Sequence, residues 1–200
     1  SHPTVTGCTF TQNAADSRGG GICTVNYHDP SEFVVSNSTF AGNTGWSGGG
    51  MCNDHCNPVG TGCTFIGNLA DGHGGGVSTD QSNLSLTECS FIGNTSAFGG
   101  AGLFNLSGEA VVAQCSFAAN SGPIFGGGIC NLGGDNIAIT GCDFIDNTAY
   151  QGGGINSIDC GEIVVTACVF ANNQAYGWGG GIFNCETSPS FIDCALSNNC

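Results

Sequence analysis

The sequence has almost no positive charge. Arg18 is the only Lys or Arg in 200 residues, against 15 Asp and Glu, and the formal net charge is −14. A nucleic-acid surface needs several cations to neutralise phosphates, and docking on anionic lipid needs the same residues. No run of about 18 apolar residues is present to cross a bilayer as a helix. We therefore expect no nucleic-acid partner and no membrane insertion.

Charged residues of either sign are also scarce, at 8%, whereas 40% of the residues are hydrophobic. Disordered chains show the opposite balance, so a folded chain is expected. The 36 glycines do not recur every third residue, which excludes collagen. Fourteen cysteines favour an oxidising compartment, and thus a secreted, extracellular or cell-surface protein. The cluster Cys52-Asn53-Asp54-His55-Cys56 lacks a second half for zinc, so no metal or cofactor is expected.

One sequence frame recurs along the whole chain. Cys63-Thr64-Phe65-Ile66-Gly67-Asn68 is followed by Gly74-Gly75-Gly76-Val77, and six similar copies surround it. Their phenylalanines are 30, 25, 26, 26, 27 and 26 residues apart: Phe10, Phe40, Phe65, Phe91, Phe117, Phe144 and Phe170. Leu196 takes this position in a last half-copy. Such a period indicates a solenoid of stacked repeats.

The repeat unit consists of short strands. Segments such as Ile163-Val164-Val165 stand between turn residues, and no stretch has helical periodicity. About 26 residues with several strands is typical of one coil of a parallel β-helix, with coils stacked about 4.8 Å apart. We therefore predict an all-β protein of about seven coils. Residues 1–200 are expected to form a single β-helix domain, uncapped at both ends because the repeat chemistry reaches each end.

Stacking places equivalent residues above one another. The phenylalanines and Leu196 are expected to form one internal column. A second column consists of the frame cysteines: Cys8, Cys63, Cys89, Cys115, Cys142, Cys168 and Cys194. A third lies at a bend, where Asn tolerates the left-handed conformation: Asn13, Asn43, Asn68, Asn94, Asn120, Asn147, Asn173 and Asn199. We interpret these columns as structural.

The frames Phe65-Ile66-Gly67-Asn68 and Gly74-Gly75-Gly76-Val77 resemble the F-x-x-N and G-G-[AG]-[ILV] motifs of the chlamydial polymorphic outer membrane protein repeat. The resemblance extends from about Cys8 to Asn199. It implies a right-handed parallel β-helix, secretion, and an adhesive or surface role. This chain is richer in cysteine than that repeat requires, and no anchoring domain is recognised in it, which leaves the mode of anchoring open.

Two classes of function are consistent with this fold. The first is a secreted structural or adhesive solenoid without catalytic residues, whose open strand edges associate end to end into a fibre or stalk. Its other partners would be glycans or a host or cell-surface protein. The alternative is a carbohydrate-binding or polysaccharide-degrading β-helix. Gly72-His73-Gly74 matches one polygalacturonase string, but its companion segments are missing, and Asp143 and Asp146 are the nearest grouped carboxylates. We expect no enzyme.

Aromatic rings precede most glycine blocks. The residues at this position are Arg18, Trp46, His73, Phe98, Phe125, Tyr150 and Trp178. Stacked on one edge, the six rings would form an apolar strip for a ligand, or would cover the turn. A hydroxyl column, Thr9, Thr39, Thr64, Ser90 and Ser116, is too short to favour an ice-binding surface.

Covalent modifications are expected at several side chains. Cys23 and Cys52 both follow a glycine triplet, which predicts stacking within disulfide range. Cys160 and Cys185 form a second, less well aligned pair. Asn37, Asn83 and Asn105 begin N-x-S/T sequons and are candidate glycosylation sites.

Overall fold

The computed structural model describes residues 3–27 and 32–200. These residues contain short β-strands and no helix, hence none that could span a membrane. In chain order the strands are β1 (Thr4–Thr6), β2 (Thr9–Thr11), β3 (Ile22–Val25), β4 (Glu32–Ser36), β5 (Thr39–Ala41), β6 (Thr44–Ser47), β7 (Met51–Asp54), β8 (Asn57–Thr61), β9 (Thr64–Ile66), β10 (Leu69–His73), β11 (Val77–Asp80), β12 (Leu84–Thr87), β13 (Ser90–Ile92), β14 (Thr95–Ser96), β15 (Leu103–Leu106), β16 (Ala110–Ala113), β17 (Ser116–Ala118), β18 (Ile129–Leu132), β19 (Ile137–Thr140), β20 (Asp143–Ile145), β21 (Thr148–Gln151), β22 (Ile155–Ile158), β23 (Ile163–Thr166), β24 (Val169–Ala171), β25 (Gln174–Trp178), β26 (Ile182–Cys185), β27 (Ser190–Ile192) and β28 (Ala195–Ser197).

The strands form parallel sheets that run along a solenoid. The first sheet has the order β1-β4-β8-β12-β16-β19-β23-β27, and the second β2-β5-β9-β13-β17-β20-β24-β28. The third is in two parts, β6-β10-β14 and β21-β25, and the fourth is β3-β7-β11-β15-β18-β22-β26. Pro123 lies where the third sheet is interrupted, since proline has no N–H for the ladder. The predicted parallel β-helix of about seven coils is confirmed.

The predicted phenylalanine column forms the centre of the core. The rings from Phe10 to Phe170 are stacked with centroids 4.6–5.0 Å apart and planes within 9° of parallel. From Phe40 to Phe170 they are fully buried. The last glycine of each block from Gly21 to Gly154 faces this column: a Cβ on Gly76 would lie 2.9 Å from Cδ1 of Phe91. Phenylalanine and glycine therefore recur together because the ring fills the space that a side chain would need.

The asparagine column is a continuous ladder of hydrogen bonds. Oδ1 of Asn94 accepts from both the backbone N–H and Nδ2 of Asn68, each at 3.0 Å. Nδ2 of Asn94 donates to Oδ1 of Asn120 at 3.0 Å and to the carbonyl of Phe65 at 2.9 Å. Each inner amide of the ladder thus links three coils and uses every donor and acceptor it has. The ladder asparagines from Asn43 to Asn173 are fully buried.

The prediction that these asparagines adopt the left-handed conformation is wrong, because the residue before each of them adopts it instead. Positive φ occurs at the residue before each of them, such as Gly67 (φ 59°), Gly93 (φ 60°) or Ala119 (φ 54°). This residue turns the corner, so the asparagine that follows can direct its amide inwards. The amide ladder, rather than tolerance of the left-handed region, explains why asparagine recurs here.

The phenylalanine column predicts a difference between middle and end coils. Truncation of a buried Phe typically costs about 3–5 kcal/mol, so Phe91→Ala should lower the free energy of unfolding by about that amount. Phe10 is only half-buried, so Phe10→Ala should cost less. Urea denaturation would measure both, and equal losses would contradict the stacked column.

The amide ladder predicts a second loss. Asn94→Ala leaves the backbone N–H and Nδ2 of Asn68 and the carbonyl of Phe65 without their partner. Because each buried unsatisfied group costs about 1–3 kcal/mol, the variant should lose at least about 3 kcal/mol of stability. The exposed Asn83→Ala serves as the control and should change stability by less than about 1 kcal/mol. A similar loss in both variants would argue against the ladder.

Candidate ligand-binding edge

The aromatic residues before the glycine blocks lie on one edge but in two columns, which corrects the single predicted column. An inner column is in register through parallel bridges: Arg18, Ser47, His73, Gly99, Phe125, Gln151 and Trp178. The residues just before them form an outer column: Ser17, Trp46, Gly72, Phe98, Ile124, Tyr150 and Gly177. In each column an aromatic ring occurs only at every second coil, because the ring directly precedes the positive-φ glycine of the block in one coil and stands one residue earlier in the next.

The inner-column rings pack towards the outer face of the fourth sheet. The His73 ring stacks on Phe104 with centroids 4.3 Å apart, and Trp178 lies over Phe183 at 6.1 Å. Burial lowers the pKa of His73, so its imidazole is neutral at physiological pH. His73 and Phe125 are half-buried, as expected for rings that cover the turn. Trp178 differs because 57% of its surface is exposed.

The outer-column rings are open to solvent. Trp46, Phe98 and Tyr150 are 51%, 41% and 44% exposed. A Cβ on Gly72 would lie 3.0 Å from Nε1 of Trp46, and one on Gly177 would lie 2.8 Å from Cε1 of Tyr150. Each of these two rings therefore lies over glycine backbone of the next coil. We call Trp46, Phe98, Tyr150 and Trp178 the aromatic edge.

Tyr176 adds a further exposed ring, with 70% of its surface accessible. It belongs to β25, the same strand as Trp178. The repeat frame does not single it out, because it lies outside the position before the glycine block. The run Ala175-Tyr176-Gly177-Trp178, in which a glycine separates two rings, was the available signal.

Arg18 forms an ion pair with a buried carboxylate. Asp54, on β7, receives hydrogen bonds from Arg18 and from the hydroxyl of Tyr27 at 3.1 Å, and Nδ1 of His55 lies 2.5 Å from its Oδ1. Burial alone would raise the pKa of Asp54, but the hydrogen bonds from His55, Arg18 and Tyr27 outweigh it and the pKa is lowered. The charge of the single Arg is therefore balanced by a buried carboxylate of the protein.

A groove of about 120 Å³ lies beside this ion pair. Its lining residues are Arg18, Ser47, Cys52, His73, Ser78, Asp80, Phe104 and Leu106. Burial raises the pKa of Asp80, the in-register neighbour of Asp54. Asp143 and Asp146 lie elsewhere, exposed on the second sheet and its corner. Within the described ranges no three His, Cys, Asp or Glu side chains are grouped as metal ligands.

Comparison with known families agrees with this architecture. The model of the right-handed β-helix region matches residues 1–122. The chain belongs to the right-handed β-helix family. Residues 167–185 also match the Chlamydia polymorphic membrane protein repeat, so the resemblance is confirmed and fits a surface-type β-helix. No curated protein and no solved structure matches the chain significantly.

The expected disulfides are absent from this β-helix, in which all fourteen cysteines are thiols. Cys23 and Cys52 are in register as predicted. However, stacked Cβ atoms follow the strand spacing of about 4.8 Å, which exceeds the usual disulfide Cβ separation of about 3.5–4.5 Å. Cys185 lies opposite Ile158, two residues before Cys160, so the second pair is not aligned. The prediction of these disulfides took into account the separation of the Cα atoms but not that of the Cβ atoms.

The sequons differ in accessibility. Asn37 and Asn83 are exposed at corners of the coil. Asn105 is fully buried, and its Nδ2 donates to the carbonyl of Gly108 at 2.9 Å while its Oδ1 accepts from Thr79. Asn105 is therefore an incorrect glycosylation candidate, because β15 directs it into the solenoid.

The Cys23–Cys52 pair predicts a pH-dependent reactivity. A hydrogen bond from Cys52 lowers the pKa of Cys23 to about 7, and Arg18 adds to the effect. The exposed Cys23 thiolate should therefore form as pH rises through about 7, and its alkylation rate should be half-maximal there. Cys52→Ala removes the hydrogen bond and should move the midpoint upwards, towards the value in the urea-unfolded chain. Iodoacetamide labelling with peptide mapping measures this, and identical midpoints in the two folded proteins would contradict it.

Proposed function

We propose that this chain is the coil-forming part of an extracellular or cell-surface β-solenoid that has no catalytic activity. Copies associate end to end into a stalk or fibre, and the aromatic edge serves adhesion along its side. The family matches support a surface role. The ion pair of Arg18 with Asp54 supports a non-catalytic role, because Arg18 is the one Lys or Arg of the sequence and its charge is balanced within the protein.

The proposed end-to-end association rests on the contact between successive coils, which is repeated along the solenoid. Every inner coil presents the same groups on its two faces, so one coil accepts the next by the same hydrogen bonds and ring stacking. Within the described residues, β27 and β28 pair on one side only. Asn199 accepts from Asn173 and donates to the carbonyl of Phe170, which leaves one amide hydrogen directed onwards. A further coil that continues the register would satisfy these groups, and a second copy of the same repeat supplies such a coil.

Charge substitution at the end of the phenylalanine column tests this association. Leu196, 56% exposed, ends that column, and Val111, 48% exposed, lies on the flank of the first sheet. Analytical ultracentrifugation of the 200-residue chain should show concentration-dependent oligomers that electron microscopy resolves as rods. Leu196→Glu should weaken association at least tenfold, because a carboxylate would be buried in an apolar column.

Val111→Glu is the matched control and should leave the rods intact. A chain that stays monomeric at all concentrations would overturn the end-to-end model. Equal effects of the two substitutions would also contradict it, because they would indicate lateral association.

A further inference from the structure

We propose that Cys23 and Cys52 form a binding site for the soft cation Cu(I), which is held in a line between the two sulfur atoms. The inference depends neither on end-to-end association nor on the aromatic edge. The two thiols are neighbours in one column on the outer face of the fourth sheet, in register on β3 and β7. Cys52 donates a hydrogen bond to Cys23, so the two sulfur atoms face each other.

The strand spacing that excludes a disulfide suits a bridging cation. Stacked Cβ atoms about 4.8 Å apart are too distant for an S–S bond. Two metal–thiolate bonds of about 2.3 Å, the length known for Zn²⁺, span about 4.6 Å when they lie in a line. An ion between the sulfur atoms therefore fits the register of the two strands without a shift of the backbone.

The number of ligands selects the ion. Within residues 3–27 and 32–200, no third Cys, His, Asp or Glu joins the pair in a group of metal ligands. Structural Zn²⁺ sites need four ligands, and Ca²⁺ and Mg²⁺ need several oxygen ligands. Soft thiolates select Cu(I), whose filled d shell makes a linear arrangement of two ligands stable. Binding releases the two thiol protons to solvent, because the ligands are thiolates.

The charges around the pair favour this complex. Two thiolates and one Cu(I) carry one net negative charge. Arg18 stabilises the thiolate form of both Cys23 and Cys52, and at each sulfur its effect exceeds the opposing effect of Asp54. The only Arg of the chain therefore offsets the charge of the bound ion and its ligands.

Access from solvent distinguishes this pair from the stacked thiols of the core. Cys23 is exposed and borders a cavity of about 330 Å³. Cys52 is buried but borders the groove of about 120 Å³ beside Arg18. The frame cysteines from Cys63 to Cys168 are also stacked, but the folded core shields them from solvent. An ion can thus reach Cys23 and Cys52 without unfolding of the chain.

Competition with the chelator bicinchoninate, under anaerobic conditions, measures Cu(I) binding to the fully reduced chain. The chain should retain one Cu(I), and X-ray absorption should show two sulfur neighbours with the near-edge spectrum of a linear site. Cys23→Ser and Cys52→Ser should each weaken binding at least about 100-fold, because the remaining thiol holds the ion without a second tethered ligand. Bound Cu(I) should also protect Cys23 from alkylation by iodoacetamide.

Cys185→Ser is the matched control, because Cys185 is an exposed thiol on the same sheet whose in-register neighbour is Ile158. This variant should bind Cu(I) as tightly as the unchanged chain. Thermal unfolding of each variant reports on the fold. If the buried Cys52→Ser does not fold, the exposed Cys23→Ser decides the test.

Three results would overturn the inference. The first is the loss of all Cu(I) to the chelator, and the second is an unchanged affinity in Cys23→Ser. The third is an ion bound by more than two sulfur atoms or shared between two chains, which X-ray absorption and analytical ultracentrifugation would reveal.

Discussion

The buried asparagine ladder is the constraint on which the rest of this structure depends. Each amide bonds to the coils on both sides, so a shift of one coil by a single residue would leave several buried polar groups without partners. Register is therefore specified at every coil. With the register set, the phenylalanines must stack face to face at the strand spacing, although isolated aromatic pairs favour offset or edge-to-face contacts. The glycine triplets then follow from the lack of space beside the rings.

Strict register also explains why the cysteines are thiols here. Side chains in equivalent positions of a parallel sheet are separated by the distance between strands, which suits hydrogen bonds and van der Waals contact better than an S–S bond. In the frame column, the backbone N–H of Cys89 donates to Sγ of Cys115 at 3.4 Å, and the same contact recurs in the next two coils. These buried thiols act as small apolar side chains with weak polar contacts.

The surface is less regular than the interior, and this is where a function can differ between coils. At the corner before the fourth sheet, the ring directly precedes the positive-φ glycine in one coil and stands one residue earlier in the next, which alternates the rings between two columns. His73 stacks on Phe104 of the fourth sheet, whereas Trp46 and Tyr150 lie against a glycine of the next coil and are about half exposed. A repeat that is strict inside and variable at one corner can thus display exposed rings without disturbing the core.

The repeat itself was readable from the sequence. Residue spacing predicted the coil, the phenylalanine and asparagine columns, and the edge on which the rings lie, because stacking converts a period of about 26 residues directly into neighbours in space.

The direction of individual side chains could not be predicted from the sequence. Whether Asn105 points inwards, whether Cys23 can reach Cys52 covalently, and whether Trp46 or His73 faces solvent depend on local pleat and corner geometry. The ion pair of Arg18 with Asp54 joins positions 36 residues apart on neighbouring coils, and no local pattern signals it. The sequence alone determined which interior residues share a column, whereas only the tertiary structure decided which column and which face the rings at the corner occupy, because an offset of one residue moves a side chain to the opposite face.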